Sequence, residues 1–284
     1  MSAPRPMRKD EALAVHLLAA RTFTELGERL HDPPSPPPRP ERALIRISQL
    51  IGRDPGGAWV TERDGELVGA ALAIERDGLW GLSLLVVDPE HQSAGLGREL
   101  LARALEYGDG GRRGAVILAS PDARALRAYA RAGFAAHPCF RAEGRPRGVE
   151  RPGRVRDGDA GDIPVTDRID LGVRGAPHGS DIDALLRADC RLLVIDDRGY
   201  AVVGGGAVRI LAALDEEAAV DLLRAALATV PFGEEIGVEW ITSHQDWAIA
   251  PVLDAGLSLT VDGALFVRGD VGPFRPYLPS GAYL

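Results

Sequence analysis

Apolar residues recur every three to four positions across residues 10–30, DEALAVHLLAARTFTELGERL, and again across 41–51, ERALIRISQLI. That spacing predicts two amphipathic helices. Between them HDPPSPPPRP predicts a stiff, extended loop, because a proline run cannot continue a helix. Over residues 58–87 the pattern changes to strand, Asp64-Gly65, strand, Asp77-Gly78, strand, which predicts an antiparallel meander. Residues 85–105, LVVDPEHQSAGLGRELLARAL, then give a polar corner and a helix that starts near Gly95 to Gly97. Its Leu96, Leu100, Leu101, Ala104 and Leu105 share one face. GAVILAS predicts another strand and SPDARALRAYARAGF another helix, with Ser120 as N-cap, Pro121 at the first helical position and Gly133 at the end.

Residues 141–164 are crowded with Arg, Gly, Pro and Asp and have no periodicity. They mark a boundary, giving a first domain over 1–145, a linker over 146–164 and a second domain over 165–284. The second part repeats the order of the first in weaker form. A helix is expected around DIDALLRAD, then strands in CRLLVIDDRGYAVVGGGAVRILAAL with Gly204 to Gly206 turning a hairpin. The helix DEEAAVDLLRAALATV, the strand EIGVEWITS, the helix QDWAIAPVLDAGL and the strand SLTVDGALFVRG follow. ARALRAYARAGF is echoed by WAIAPVLDAGL, and two copies of one α/β (α+β) fold explain the pattern.

Composition narrows the chemistry. The chain has 284 residues, 45% of them hydrophobic, enough for two real cores. Its net charge of -8 removes any overall electrostatic case for nucleic acid or an anionic membrane, and favours a basic small molecule. Lys9 is the single lysine, and the Arg, Ala and Gly usage suggests a GC-rich bacterial genome. Cys139 and Cys190 lie far apart and suit neither a disulfide framework nor a zinc knuckle. No stretch approaches the ~20 apolar residues of a membrane span, which predicts a soluble cytoplasmic protein. Histidines 16, 31, 91, 137, 178 and 244 never fall in a metal-binding spacing, so no metal is expected. Trp59, Trp80, Trp240 and Trp247 are expected to pack in the core rather than stack a ligand.

The corner at 88–97 has the features of an anion site. Its glycines let main chain approach a bulky group, and a helix N-terminus favours negative charge by roughly 0.3–1 kcal/mol. A dinucleotide fold is disfavoured because Gly95-Leu96-Gly97 lacks the third glycine and DPEHQSA separates it from the strand. A nucleotide P-loop is disfavoured because no Gly-Lys-Ser/Thr follows.

Gln92-x-x-Gly95-x-Gly97 after Val87-Asp88-Pro89 resembles the pyrophosphate turn of the GNAT superfamily of N-acetyltransferases. Asp122, Ala125, Tyr129, Gly133 and Phe134 fall at the spacing of that family's next helix, with Asp122 where asparagine is usual. The resemblance implies two tandem GNAT-like domains, each a mixed, mostly antiparallel sheet flanked by helices. It implies acetyl-CoA as co-substrate. The main chain of Leu85, Val86 and Val87 would line the pantetheine arm, and the amides of Gln92, Ser93, Ala94, Gly95, Leu96, Gly97 and Arg98 would bind the diphosphate. Asp122 and Tyr129 would lie beside the cofactor, with Tyr129 protonating the departing thiolate. The acceptor would be a small amine, and the protein a monomer with an internal pseudo-dimer or a homodimer.

Acyl transfer to an amine needs the neutral base form, and for a lysine-like group deprotonation at pH 7 requires about 4.6 kcal/mol. Many relatives place a glutamate on the strand before the turn, but LWGLSLLVV has no acid. The remaining candidates are Glu75 and Asp77 at the hairpin, Ser83 as a relay through water, and the tail carboxylate at Leu284. In the second copy Asp215, Glu216 and Glu217 stand where the turn would be and would repel a diphosphate. One acetyl-CoA per chain is therefore expected, held by the first copy. The alternative reading is an acyl-CoA sensor that kept the corner and lost the base.

Overall fold

The computed structural model describes residues 3–31 and 40–284; of the expected proline loop at 31–40, residues 32–39 lie outside the described residues, and Pro40 already opens the second helix. The chain forms two compact units, Met1–Arg112 and Arg113–Leu284.

In the first unit β1 (Arg5–Pro6), β2 (Ala58–Arg63), β3 (Glu66–Arg76) and β4 (Leu79–Val87) lie side by side in that order, each pair antiparallel. Both expected Asp-Gly turns form, with φ of 52° and 86° at Asp64 and Gly65 and of 46° and 78° at Asp77 and Gly78. Two successive left-handed residues match the twist of the strands they join. Helices α1 (Ala12–Leu30) and α2 (Pro40–Arg53) pack on each other and on β3, and α1 also reaches β4. Helix α3 (Leu96–Glu106) covers β2, β3 and β4 with Leu96, Leu100, Leu101 and Ala104, the face read from the sequence. Trp80 is fully buried and donates its indole N–H to the Ala104 oxygen at 3.0 Å.

The second unit contains β5 (Gly114–Ala119), α4 (Ala123–Arg131), β6 (Ala135–Gly144), β7 (Arg156–Gly158), α5 (Ile163–Val173) and α6 (Ser180–Arg187). It continues with β8 (Arg191–Ile195), β9 (Gly199–Gly204), β10 (Ala207–Ala213), α7 (Glu216–Ala228), β11 (Ile236–Ile241), α8 (Ile249–Asp254), β12 (Ser258–Gly269) and β13 (Tyr277–Leu278). Its sheet runs β5-β12-β6-β11-β10-β9-β8-β7, with β13 on β10. Strands from the two sequence halves alternate at its centre. Phe266 of β12 faces Ile117 on one side and Ala136 on the other, and Ala142 of β6 faces both Leu259 and Val238. This exchange groups residues 114–144 with the second unit, although their sequence pattern belongs to the first copy. Residues 146–164 contain β7, which pairs with β8 at Gly158 and Leu192.

Two local expectations shift. Helix α4 is capped by Asp122, whose carboxylate accepts the Arg124 N–H at 2.8 Å, so Ser120 and Pro121 precede the cap instead of forming it. The segment QDWAIAPVLDAGL begins as a 3₁₀ turn, Ser243–Ala248, before α8, because Thr242 and Gln245 form a capping box ahead of it.

Candidate functional site

Strand β4 ends at Val87, and Asp88 turns the chain. Asp88 accepts the Glu90 N–H at 3.0 Å, lies 3.4 Å from His91 Nδ1 and pairs with Arg21 of α1. Burial acts to raise its carboxyl, but the Glu90 N–H, the His91 ring and the Arg21 charge prevail and hold it below the usual range. Gln92 then donates its side-chain amide to the Val87 oxygen at 2.9 Å. Ser93 and Gly95 adopt φ of 65° and 89°, and Gly95 caps α3 without a side chain.

The result is a row of open donors. Gln92 N–H reaches the Pro89 oxygen at 3.4 Å and Arg98 N–H the Gly95 oxygen at 3.0 Å, whereas the N–H groups of Ser93, Ala94, Gly95, Leu96 and Gly97 have no hydrogen-bond acceptor among the described residues. The donor set read from the sequence, Gln92 to Arg98, thus narrows by one residue at each end. A Cβ at Gly95 would meet nothing within 4 Å, so the space over the corner is open. Unpaired helix-start amides in an open concavity are suited to an anion of phosphate size.

Upstream of the corner, Val86 is buried and Leu85 and Val87 are half-buried, facing Ala71 and Gly69 on β3. A register shift between Leu72 and Ala73 leaves Ser83 as an extra, bulged residue on β4. Arg46 of α2 donates to Ser83 Oγ at 3.1 Å and to its main-chain oxygen at 3.4 Å.

The other proposed catalytic groups have structural partners. Glu75 accepts the Gly78 N–H and closes its own hairpin turn, while Asp77 is exposed at the tip. Leu284 is 1% exposed, and its main-chain oxygen lies 3.2 Å from His178 Nε2 inside the second unit. His178 Nδ1 is 2.7 Å from Asp170, which also accepts the Tyr200 hydroxyl at 2.6 Å. The tail packs on its own unit, held by a polar cluster that helical spacing alone did not reveal. Tyr129 is 5% exposed and meets Phe266 edge to face at 5.5 Å. Burial, helped by the Asp122 charge, raises its hydroxyl well above the usual range, which keeps it protonated. Asp122 is bound by Arg124 at 3.1 and 2.8 Å, so its charge is neutralised locally.

In the second copy the matching helix start carries its own carboxylates. Asp215 caps α7 by accepting the Ala218 N–H at 2.9 Å, and Arg198 binds Asp215 at 2.7 Å and Glu217 at 2.9 Å. Val252 occupies the position of Tyr129 in the WAIAPVLDAGL echo and is fully buried. Strands β10 and β11 pair only at Ala207 and Gly237, and β13 of the tail pairs with β10 instead. This copy has no hydroxyl at the Tyr129 position, and the carboxylates of Asp215, Glu216 and Glu217 stand at its helix start.

Residues 24–134 match the model of the acetyltransferase (GNAT) family. A proposed acetyltransferase of Pyrococcus horikoshii is 17% identical with a TM-score of 0.80, over 99% of this chain and 95% of that one. A GCN5-related N-acetyltransferase of Sphaerobacter thermophilus is 17% identical with a TM-score of 0.58, over 94% and 95%. A tandem GNAT protein from the clavulanic acid biosynthesis pathway is 16% identical with a TM-score of 0.58, over 94% and 98%. No curated protein matches the chain. Among the described residues no helix is long and apolar enough to cross a membrane.

Proposed function

We propose that the protein is an N-acetyltransferase that moves the acetyl group of acetyl-CoA to the primary amine of a small acceptor by direct transfer. The observation that carries this reading is the run of open amides from Ser93 to Gly97. Those donors fit a diphosphate, and the main chain of Leu85 to Val87 leads to them along β4. Bound acetyl-CoA supplies a thioester carbonyl that an amine can attack. The chain's own task is to hold the phosphates, exclude water and move two protons. The role that resemblance gives Tyr129, donor to the departing thiolate, needs a protonated hydroxyl, and burial keeps it so. Neither nucleic acid nor membrane enters this reading.

The test is thiol release from acetyl-CoA with spermidine, tyramine and L-lysine as acceptors. Release that depends on the amine supports transfer. A second reading, a non-catalytic acyl-CoA sensor, is favoured by one observation: Glu75 is bound within its turn and Leu284 is buried against His178. Acetyl-CoA binding without release on any of these amines favours the sensor.

A further inference from the structure

Strands β2 and β3 shift register next to the glycine corner. Thr61 faces Gly69 and Glu62 faces Leu67, so Val68 is an extra residue on β3. A bulge of this kind re-aims the chain locally and is enriched beside functional sites. Here the Val68 oxygen accepts the N–H of Asp88 at 2.8 Å, which ties the bulge to the residue that turns β4 into the corner. A Cβ at Gly69 would lie 2.8 Å from Leu100 Cδ1 and 3.8 Å from Thr61 Cβ, so Thr61 is on the face that α3 covers.

At this bulge lies a cavity of about 20 Å³, lined by Thr61, Glu62, Arg63 and Val68 of the two strands and by His91 and Ala94 of the corner. One water molecule needs roughly 10–15 Å³, so the space takes a single water and excludes a phosphate. Thr61 is 1% exposed, and its hydroxyl has no hydrogen-bond partner among the described residues. A buried polar group without a partner calls for a reason. Glu62 is bound by Arg5, and Arg63 is paired with Asp64 at 3.9 Å. The His91 ring directs Nδ1 to Asp88 at 3.4 Å, and Nε2 is its second polar atom. Thr61 and His91 are thus the two side chains of the lining that can share a water.

We propose that this cavity is the site of one ordered water molecule held by the Thr61 hydroxyl and the His91 imidazole, and that Thr61 is, through it, a positioning residue for the amide corner. A water that bridges two buried groups holds them nearly as well as a direct hydrogen bond does. It joins β2 to the residue that precedes Gln92. Together with the Gln92 bond to the Val87 oxygen and the Asp88 bond to the Val68 oxygen, it fixes the loop at three points. Thr61 acts on a ligand only through that loop, which carries the amides from Ser93 to Gly97. The positioning role rests on the acetyl-transfer reading; the water site does not.

The experiment compares wild type with Thr61→Val, which keeps the shape of the side chain and removes its hydroxyl, and with Thr61→Ser, which keeps the hydroxyl. A high-resolution crystal structure of the wild type should show one water within hydrogen-bond distance of Thr61 Oγ1 and His91 Nε2. Scanning calorimetry separates a bridged hydroxyl from an unpartnered one by sign. Thr61→Val should lower the melting temperature if the water is bound, whereas removing an unpartnered hydroxyl would raise it. Titration with acetyl-CoA should show affinity about threefold to tenfold weaker in Thr61→Val and close to wild type in Thr61→Ser. A crystal structure with no water there, or a higher melting temperature in Thr61→Val, overturns the site. Unchanged affinity in Thr61→Val, or an equal loss in Thr61→Ser, overturns the positioning role even where stability falls. If Thr61→Val does not fold, the crystal structure decides the water and Thr61→Ala the affinity. Wild type that takes up no acetyl-CoA overturns the acetyl-transfer reading and the positioning role with it, and the crystal structure still decides the water.

Discussion

Gln92 donates its side-chain amide to the main-chain oxygen of Val87 at 2.9 Å, tying the residue that opens the glycine corner to the last residue of the strand it leaves. The glutamine thus frames the open amides and leaves their N–H groups to a ligand. Gln92→Ala removes one such bond, worth about 0.5–1.5 kcal/mol. Acetyl-CoA affinity is expected to fall by up to about tenfold, measured by calorimetry, with the fold retained. Unchanged affinity would remove Gln92 from the binding frame.

The two glycines of the corner make different demands. Gly95 has φ of 89°, a conformation that an L side chain occupies at a penalty of about 1–2 kcal/mol. Gly97 is helical, and a Cβ there would sit 3.6 Å from Val87 Cγ2, an ordinary contact. Gly95→Ala should lower the melting temperature, and Gly97→Ala should leave it unchanged or raise it. Differential scanning calorimetry on the pair checks this, and equal effects would contradict the geometry.

Asp88 links stability to pH. Its folded carboxyl lies below the usual range, so the stability it contributes is complete above the unfolded value of about 3.9 and is lost as pH falls through the folded value. Asp88→Asn should destabilise the protein by about 1–3 kcal/mol at pH 7. The gap between wild type and variant should close as pH drops below about 4. A gap that stays constant down to the acid transition would mean that Asp88 carries no shifted charge.

Much of the corner was legible in the sequence because it is local. Val87-Asp88-Pro89 ends a strand, Gly95 and Gly97 open a helix, and Leu96, Leu100 and Leu101 mark its buried face within eleven residues. The Asp-Gly turns were legible for the same reason. What the sequence did not reveal depends on segments that meet only after folding. The exchange that sets Phe266 between Ile117 and Ala136 joins strands more than a hundred residues apart. Arg46 on Ser83 and Arg21 on Asp88 are helix residues that solvent-exposed spacing would equally explain. Ser-Pro-Asp offers two acceptable caps, Ser120 and Asp122, and spacing alone does not choose between them.

The tail is a structural component of the second unit. Leu284 and Tyr277 are buried beside His178, whose partner Asp170 is fully buried. Removing one member of such a pair costs about 3–5 kcal/mol. Asp170→Ala and deletion of residues 281–284 should each lower the melting temperature by several degrees. A deletion with unchanged stability but lost turnover would instead return the tail to the mechanism.

The most direct test of the central claim is a calorimetric titration with acetyl-CoA. Wild type should take up one equivalent per chain, and Gly95→Val, shown folded by circular dichroism, should take up none. No uptake by wild type, a second equivalent per chain, or equal uptake by the valine variant would contradict the assignment of the Ser93–Gly97 amides as the one diphosphate site.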